Sequence, residues 1–185
     1  DAMLKEMEGV NEFVVYVGEL GNIFERANNI YFAYDTKVFC LDINLIGDEG
    51  IGKLKEILRS GRYVTYNAKN LGHALENLGI IEYRFMDDLM LMDYLMNGGS
   101  VKIDLGASIS RYLNIKGEQE EQAGLFQEEQ GCAQSYHVLL LSRVLKPKFL
   151  NAVIKDKEPN IKTIYEYIEK PLVKVLVKIE RNGIN

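Results

Sequence analysis

The sequence predicts a mixed α/β fold, a sheet with flanking helices that is followed by C-terminal helices. Two patterns point there. Three short runs rich in Val, Ile, Tyr and Phe open the chain, and from Asp48 onward apolar residues recur at helical spacing between further strand-like runs. Composition agrees: of 185 residues, 47% are hydrophobic and 26% charged, a balance that excludes disorder, collagen and coiled coil. A chain of this length can bury a sizeable core without disulfide or metal staples.

The first three strands are expected at Glu12 to Val17, Ile30 to Tyr34 and Lys37 to Ile43, each bounded by Gly, Asn or Asp. Only Asp35 and Thr36 separate the second from the third, which predicts an antiparallel hairpin. From Asp48 to Arg59 the residues Ile51, Leu54, Ile57 and Leu58 share one helical face, and Asp48 and Glu49 favour its positive N-terminal end. A fourth strand follows at Tyr63 to Tyr66. A helix capped by Asn67 or Asn70 then runs to Asn77, with Gly79 placed to end it. Ile80 to Phe85 reads as a fifth strand. Asp87 or Asp88 caps a helix carrying Leu89, Met92 and Leu95, which stops at Asn97-Gly98-Gly99. Further helices are expected at Asp104 to Leu113, Cys132 to Lys146 and Ile161 to Arg181, with the polar run Gly117 to Gln130 as an exposed loop. Strand, strand, strand, helix, strand is an order that fits a ribonuclease H-like core, as it fits other α/β folds.

The formal net charge is -5. A protein whose main task is to grip nucleic acid through its phosphates needs clustered Lys and Arg, so any such contact here is local. Cys40 and Cys132 lie far apart in apolar or small-residue settings, which suits reduced thiols better than a disulfide framework or zinc knuckle. His73 and His137 sit in helical patterns with no Ser, Cys or metal-ligand partner nearby in sequence. No run approaches the roughly 18 apolar residues that span a bilayer, and the N-terminus lacks a basic-then-apolar leader. A cytoplasmic protein without membrane contact is expected.

Three stretches carry a resemblance. Tyr63 to Ile80 (YVTYNAKNLGHALENLGI), Asp88 to Leu95 (DLMLMDYL) and Tyr165 to Ile184 (YEYIEKPLVKVLVKIERNGI) resemble, in that order, segments of the 3′–5′ exonuclease region of bacterial DNA polymerase I, family A. The last is the most specific, because its Glu-x-Pro-Leu-Val and Glu-Arg-Asn-Gly strings keep their spacing. The resemblance implies a ribonuclease H-like exonuclease domain over residues 1–147 and, over 148–185, a helical connection into a truncated polymerase domain. It also implies a polymerase domain in cis, DNA as the partner of the parent polymerase, Mg2+ as that polymerase's cofactor, and a monomer. Polymerisation by this polypeptide is not expected, since the family's nucleotide-binding and catalytic segments do not occur before Asn185.

Family exonucleases cut phosphodiesters with two divalent ions held by carboxylates. The resemblance implies an Asp-x-Glu on the first strand, an Asp on the helix after the fourth strand, and a Tyr-x-x-x-Asp on a late helix. At those positions this chain carries Val17 and Glu19, Leu71, and Gly131 and Ser135. Three of the four acids are missing, so no catalytic residue, metal ligand or cofactor is expected in this fragment, and Glu19 reads as a solvated strand-end carboxylate. The other matches to these motifs, Asp156-Lys157-Glu158, Tyr31 to Asp35 and Tyr83 to Asp87, lack the context of a metal site.

Three functions follow. The leading one is a silent exonuclease-like domain that supports the polymerase module. The second is a diverged proofreading exonuclease in which Glu19, its only family ligand, is joined by Asp42, Asp87 or Asp88. The third is a single-stranded nucleic-acid-binding module, with Tyr63 and Tyr66 as stacking residues and Lys174, Lys178 and Arg181 from the late basic run as phosphate contacts.

Overall fold

The computed structural model describes residues 6–7, 9–115, 127–155 and 160–183. Most of the polar run from Gly117 and the Asp156-Lys157-Glu158 string lie outside the described residues. The five strands are β1 (Phe13–Tyr16), β2 (Asn29–Tyr34), β3 (Lys37–Asp42), β4 (Tyr63–Thr65) and β5 (Asp87–Asp88). They form one sheet in the order β3-β2-β1-β4-β5. β1 is central. It runs antiparallel to β2, pairing Val15 with Phe32, and parallel to β4, pairing Val14 with Val64. β2 and β3 form the expected hairpin, with Asp35 in the left-handed region at φ 50°.

The helices are α1 (Asp48–Arg59), α2 (Ala68–Asn77), α3 (Leu89–Asn97), α4 (Leu105–Leu113), α5 (Gln127–Lys155), α6 (Ile161–Ile164) and α7 (Lys170–Asn182), with a π-helical turn at Tyr165–Glu169 between the last two. Strand side chains alternate, so β1 feeds two cores. Phe13, Val15 and Val17 join Phe32, Leu54, Leu58, Leu71 and Leu75 on the α1 and α2 side. Val14 and Tyr16 join Tyr31, Val64, Leu89, Leu141, Phe149 and Tyr165 on the α5 side. Each fully buried apolar side chain contributes about 1.5–3 kcal/mol, and covering both faces explains why FVVY is an unbroken apolar run. None of the helices among the described residues is long and apolar enough to cross a membrane.

Four features depart from the sequence expectation. Ile80 to Phe85 is not a strand: Arg84 donates its backbone N–H to Leu58 O (2.9 Å) and Met86 to Tyr63 O (2.7 Å), and only Asp87 and Asp88 join the sheet, beside Val64 and Thr65. The segment follows the end of α1 instead of a strand, because Tyr83 turns inward. Gln127 to Gln130 are helical rather than looped, and α5 passes through Pro147, so the boundary drawn at 147 falls inside a helix. Its proline removes one N–H bond but the flanking turns stay packed. The Ile161 to Arg181 helix is interrupted by the π turn. That turn directly precedes Pro171, which cannot donate and whose ring crowds the carbonyl four residues earlier.

Away from the sheet, α3 and α4 are joined by a buried carboxylate. Asp93, fully buried, accepts from Arg111 Nη1 (2.7 Å), Tyr112 Oη (2.8 Å), Asn97 Nδ2 (2.6 Å) and Ser108 Oγ. Ser108 also shares a hydrogen bond of 2.9 Å with the Tyr66 hydroxyl, which ties the pair to the end of β4.

Candidate functional site

Three of the four positions implied for the metal-binding acids, Val17, Glu19 and Leu71, lie where β1 ends and α2 begins. Asn67 takes the left-handed conformation at φ 66° and its side chain accepts from Asn70 N (3.1 Å), a cap that starts α2 directly after β4. Asp88, at the end of β5, accepts from Asn67 N (3.0 Å), Ala68 N (2.8 Å) and Met90 N (3.0 Å), so one carboxylate starts two helices. Complete burial raises its pKa to about 6, although the backbone N–H groups oppose the shift. Tyr165 completes this corner, accepting from Asp88 N (2.8 Å) and donating to Asp87 Oδ1 (3.3 Å).

Asn70 closes the strand end. Its Nδ2 donates to Gly18 O (2.9 Å) and its Oδ1 accepts from Leu20 N (3.2 Å), which fixes the backbone on both sides of Glu19 while the Glu19 side chain stays exposed. Beneath it, Val17 and Leu71 are 3% and 1% exposed and belong to one apolar cluster. Ser135 lies on α5, which covers the opposite face, and its hydroxyl donates to Cys132 O (2.8 Å). The structure therefore brings Val17 and Leu71 together and keeps Ser135 apart from them.

At Gly131 the ring of Tyr31 occupies the space that a β-carbon would need. Tyr16 reaches the same helix, donating to Gln134 Oε1 (3.1 Å), and burial pushes its hydroxyl well above the usual tyrosine range. Two tyrosines from β1 and β2 fill this side of the sheet end.

Hard divalent ions need several oxygen donors. Among the described residues no group of three or more His, Cys, Asp or Glu is placed to hold a metal. Strand geometry accounts for this: Asp42 on β3 and Asp88 on β5 lie two strands to either side of β1, a lateral displacement of about 10 Å each. Asp88 is spent on backbone N–H groups, and Asp87 is paired with Lys146 at 3.1 Å. Apolar side chains and a back-bonded hydroxyl do not fit a two-magnesium site.

The predicted nucleic-acid contacts divide. Tyr63 is 0% exposed, its ring 6.0 Å from that of Phe13, and Tyr66 is buried with its hydroxyl on Ser108. Neither has a free face on which a base could stack, which corrects that expectation; an aromatic residue in a strand with both faces covered turns inward. Arg181 is held by Glu76 (3.1 Å), Asn77 Oδ1 (2.7 Å) and Ile23 O (3.3 Å). Lys174 and Lys178 are exposed on α7. His73 is buried, with Nε2 2.7 Å from Glu180 Oε2, and so pins α7 to α2. Asn70, Tyr31 and Arg84 were not chosen by sequence as site residues; Asn70 left a signal as an alternative helix cap and Tyr31 as part of a Tyr-x-x-x-Asp match, whereas Arg84 left none.

No family model matches the chain, and no curated protein matches it. Solved structures do. The POL domain of Pol1 from M. smegmatis, in complex with DNA primer-template and dNTP, is 22% identical with a TM-score of 0.79, over 99% of this chain and 30% of that one. RNase D of Escherichia coli, an exoribonuclease involved in structured RNA processing, is 10% identical with a TM-score of 0.74, over 96% of this chain and 48% of that one. The Nibbler EXO domain of Aedes aegypti is 12% identical with a TM-score of 0.64, over 89% of this chain and 88% of that one. The chain thus spans about a third of the polymerase and half of RNase D, and what it shares with all three is the ribonuclease H-like fold of 3′–5′ exonucleases.

Proposed function

We propose that this chain is a catalytically silent exonuclease-fold domain of a family A DNA polymerase, serving as a structural support for a polymerase module in cis. In the cell it works in the cytoplasm within a monomeric polymerase, whose own module binds DNA and uses Mg2+. The observation that carries the reading is the pairing of Val17 with Leu71 in one buried apolar cluster at positions where the resemblance calls for acids.

Two doubly charged ions about 4 Å apart repel by roughly 16 kcal/mol at an effective dielectric near 20. Several carboxylates must offset that repulsion, and the exposed Glu19 alone does not. Burying Val17 and Leu71 instead adds about 1.5–3 kcal/mol each to stability. The site has become part of the core.

The supporting role draws on the outward face of the C-terminal helices. Ile168, Leu172, Val175 and Ile179 are exposed at spacings of four, three and four residues, opposite the Val173 and Val177 face that packs on the domain. A polymerase module tethered to α7 would cover this stripe, in line with the likeness to a polymerase chain of which this fold is 30%.

A nuclease assay on single-stranded oligonucleotide with magnesium or manganese tests the reading. The expected result is no turnover above background. Turnover that disappears in Glu19→Ala would overturn it.

A further inference from the structure

The loop before β5 meets α7 where the Tyr83 ring lies beneath Lys174 Nζ. Lys174 and Lys178 stand one turn apart on the exposed side of α7, with β-carbons about 5–6 Å apart by helix geometry. Arg84 follows Tyr83 in that loop. Its backbone is fixed by the bond to Leu58 O, and its side chain lies along Gly61, its Cβ 3.5 Å from where a Gly61 β-carbon would stand. Tyr83 forms the floor, its ring centroid 4.9 Å from Lys174 Nζ. Its hydroxyl and Val177 both close on Gly72, where a β-carbon would meet each of them, and the Tyr83 side chain is buried. Partial burial and then the charges of Arg84 and Lys178 hold the Lys174 ammonium below its usual range, with the Glu76 charge opposing them.

What separates these three cations from their neighbours is that none makes a direct ion pair among the described residues, the nearby Glu76 being engaged by Arg181. One turn back on α7, Lys170 pairs with Glu166 at 3.3 Å. Arg181 pairs with Glu76, and Lys69 with Glu180 at 2.7 Å. Among the described residues, no carboxylate lies within ion-pair distance of Arg84, Lys174 or Lys178. In a chain of net charge -5, cations left without a direct ion pair are a charge pattern that self-pairing does not explain.

We propose that Arg84, Lys174 and Lys178 form a grip for the phosphodiester backbone of a nucleic acid, sequence-independent and separate from the silent sheet-end site. The chemistry favours a polyanion. Exposed cations gain little from a single carboxylate or phosphate, whereas a nucleic acid strand releases condensed counterions at every contact. The grip makes no use of base stacking, which the burial of Tyr63 and Tyr66 rules out at those residues. It does not depend on whether the chain cleaves anything.

Fluorescence anisotropy tests it on the intact chain, in EDTA, with a short single-stranded oligonucleotide and with the matching duplex. Three phosphate contacts predict binding that weakens by about twenty- to forty-fold between roughly 50 and 200 mM salt, the smaller figure for the single strand. The triple variant Arg84→Gln/Lys174→Gln/Lys178→Gln should lose both the binding and the salt slope while keeping its melting temperature. Lys53→Gln/Lys55→Gln on α1 should bind as the parent does. Unchanged affinity in the triple variant would overturn the proposal, as would no binding of the parent at low salt, or equal competition by polyglutamate of matched charge. Nuclease activity is read separately, so each proposal can fail alone.

Discussion

Gly131 lies flat against the ring of Tyr31. The helix backbone of α5 and the side chain from β2 approach so closely that a β-carbon at 131 would overlap the ring carbons and the hydroxyl. Where the resemblance calls for a tyrosine on this helix, the partner strand supplies one and the helix supplies only space. Gly131→Ala should therefore destabilise the domain by about 1–3 kcal/mol through overpacking, even though alanine gains about 1 kcal/mol over glycine in a helix interior. In Gly131→Ala/Tyr31→Ala the clash is relieved, so the coupling read from urea midpoints should be negative. Additive effects would show that the two do not touch.

Leu71 lends itself to the complementary test. It is buried with Val17, so Leu71→Asp places a charge in an apolar cluster without any partner. Loss of at least the 2–5 kcal/mol typical of a buried Leu→Ala change is expected, with no cleavage gained in magnesium. An unchanged unfolding midpoint would place Leu71 outside the core.

Much of this was legible in the chain. FVVY announced a strand, though not that both its faces are covered, and Asn67 or Asn70 and Asp104 announced helix starts, where short polar side chains can accept from the first-turn amides. Val17 and Leu71 drew attention only through the family resemblance, which calls for acids there; their chemistry alone marks them as core residues, and both are buried. The fit of Gly131 to Tyr31 was not, since it is a contact between residues a hundred positions apart. Tyr63 and Tyr66 misled for a related reason: composition marks an aromatic residue but not which way it faces. Arg181 and Lys174 look alike in sequence. Glu76 from α2 pairs directly with one and acts on the other only at a distance. The π turn was hidden because a helical pattern continues through it.

Asp88 makes stability depend on pH in an unusual direction. Burial pushes its folded pKa up to about 6, above the ordinary aspartate value of 3.8. The folded state binds the proton more tightly, so the contribution is fully present below pH 4 and is lost as pH rises towards 6 and beyond. About two pKa units correspond to roughly 3 kcal/mol. Asp88→Asn should flatten this part of the profile, at the expense of at least one of the bonds to Asn67 N, Ala68 N or Met90 N. Urea midpoints at pH 4 and pH 7 for both proteins provide the check; an equal change in the two would assign the dependence to other groups.

Asp93 and Arg111 show how a polar group can be buried without serving as a site. Asp93 is fully buried and Arg111 partly so, and every donor around the carboxylate comes from α3 or α4. Removing one partner leaves the other's charge uncompensated in a low dielectric, so Asp93→Ala or Arg111→Ala should each lower stability by about 3–5 kcal/mol. Replacing the pair by apolar residues of similar volume, Asp93→Leu with Arg111→Met, removes both charges at once and should recover a good part of that loss. The recovery would be incomplete, because Ser108, Tyr112 and Asn97 also donate to Asp93 and would lose their acceptor. A double variant no more stable than either single one would mean that these neighbouring donors, rather than the ion pair, hold α3 against α4.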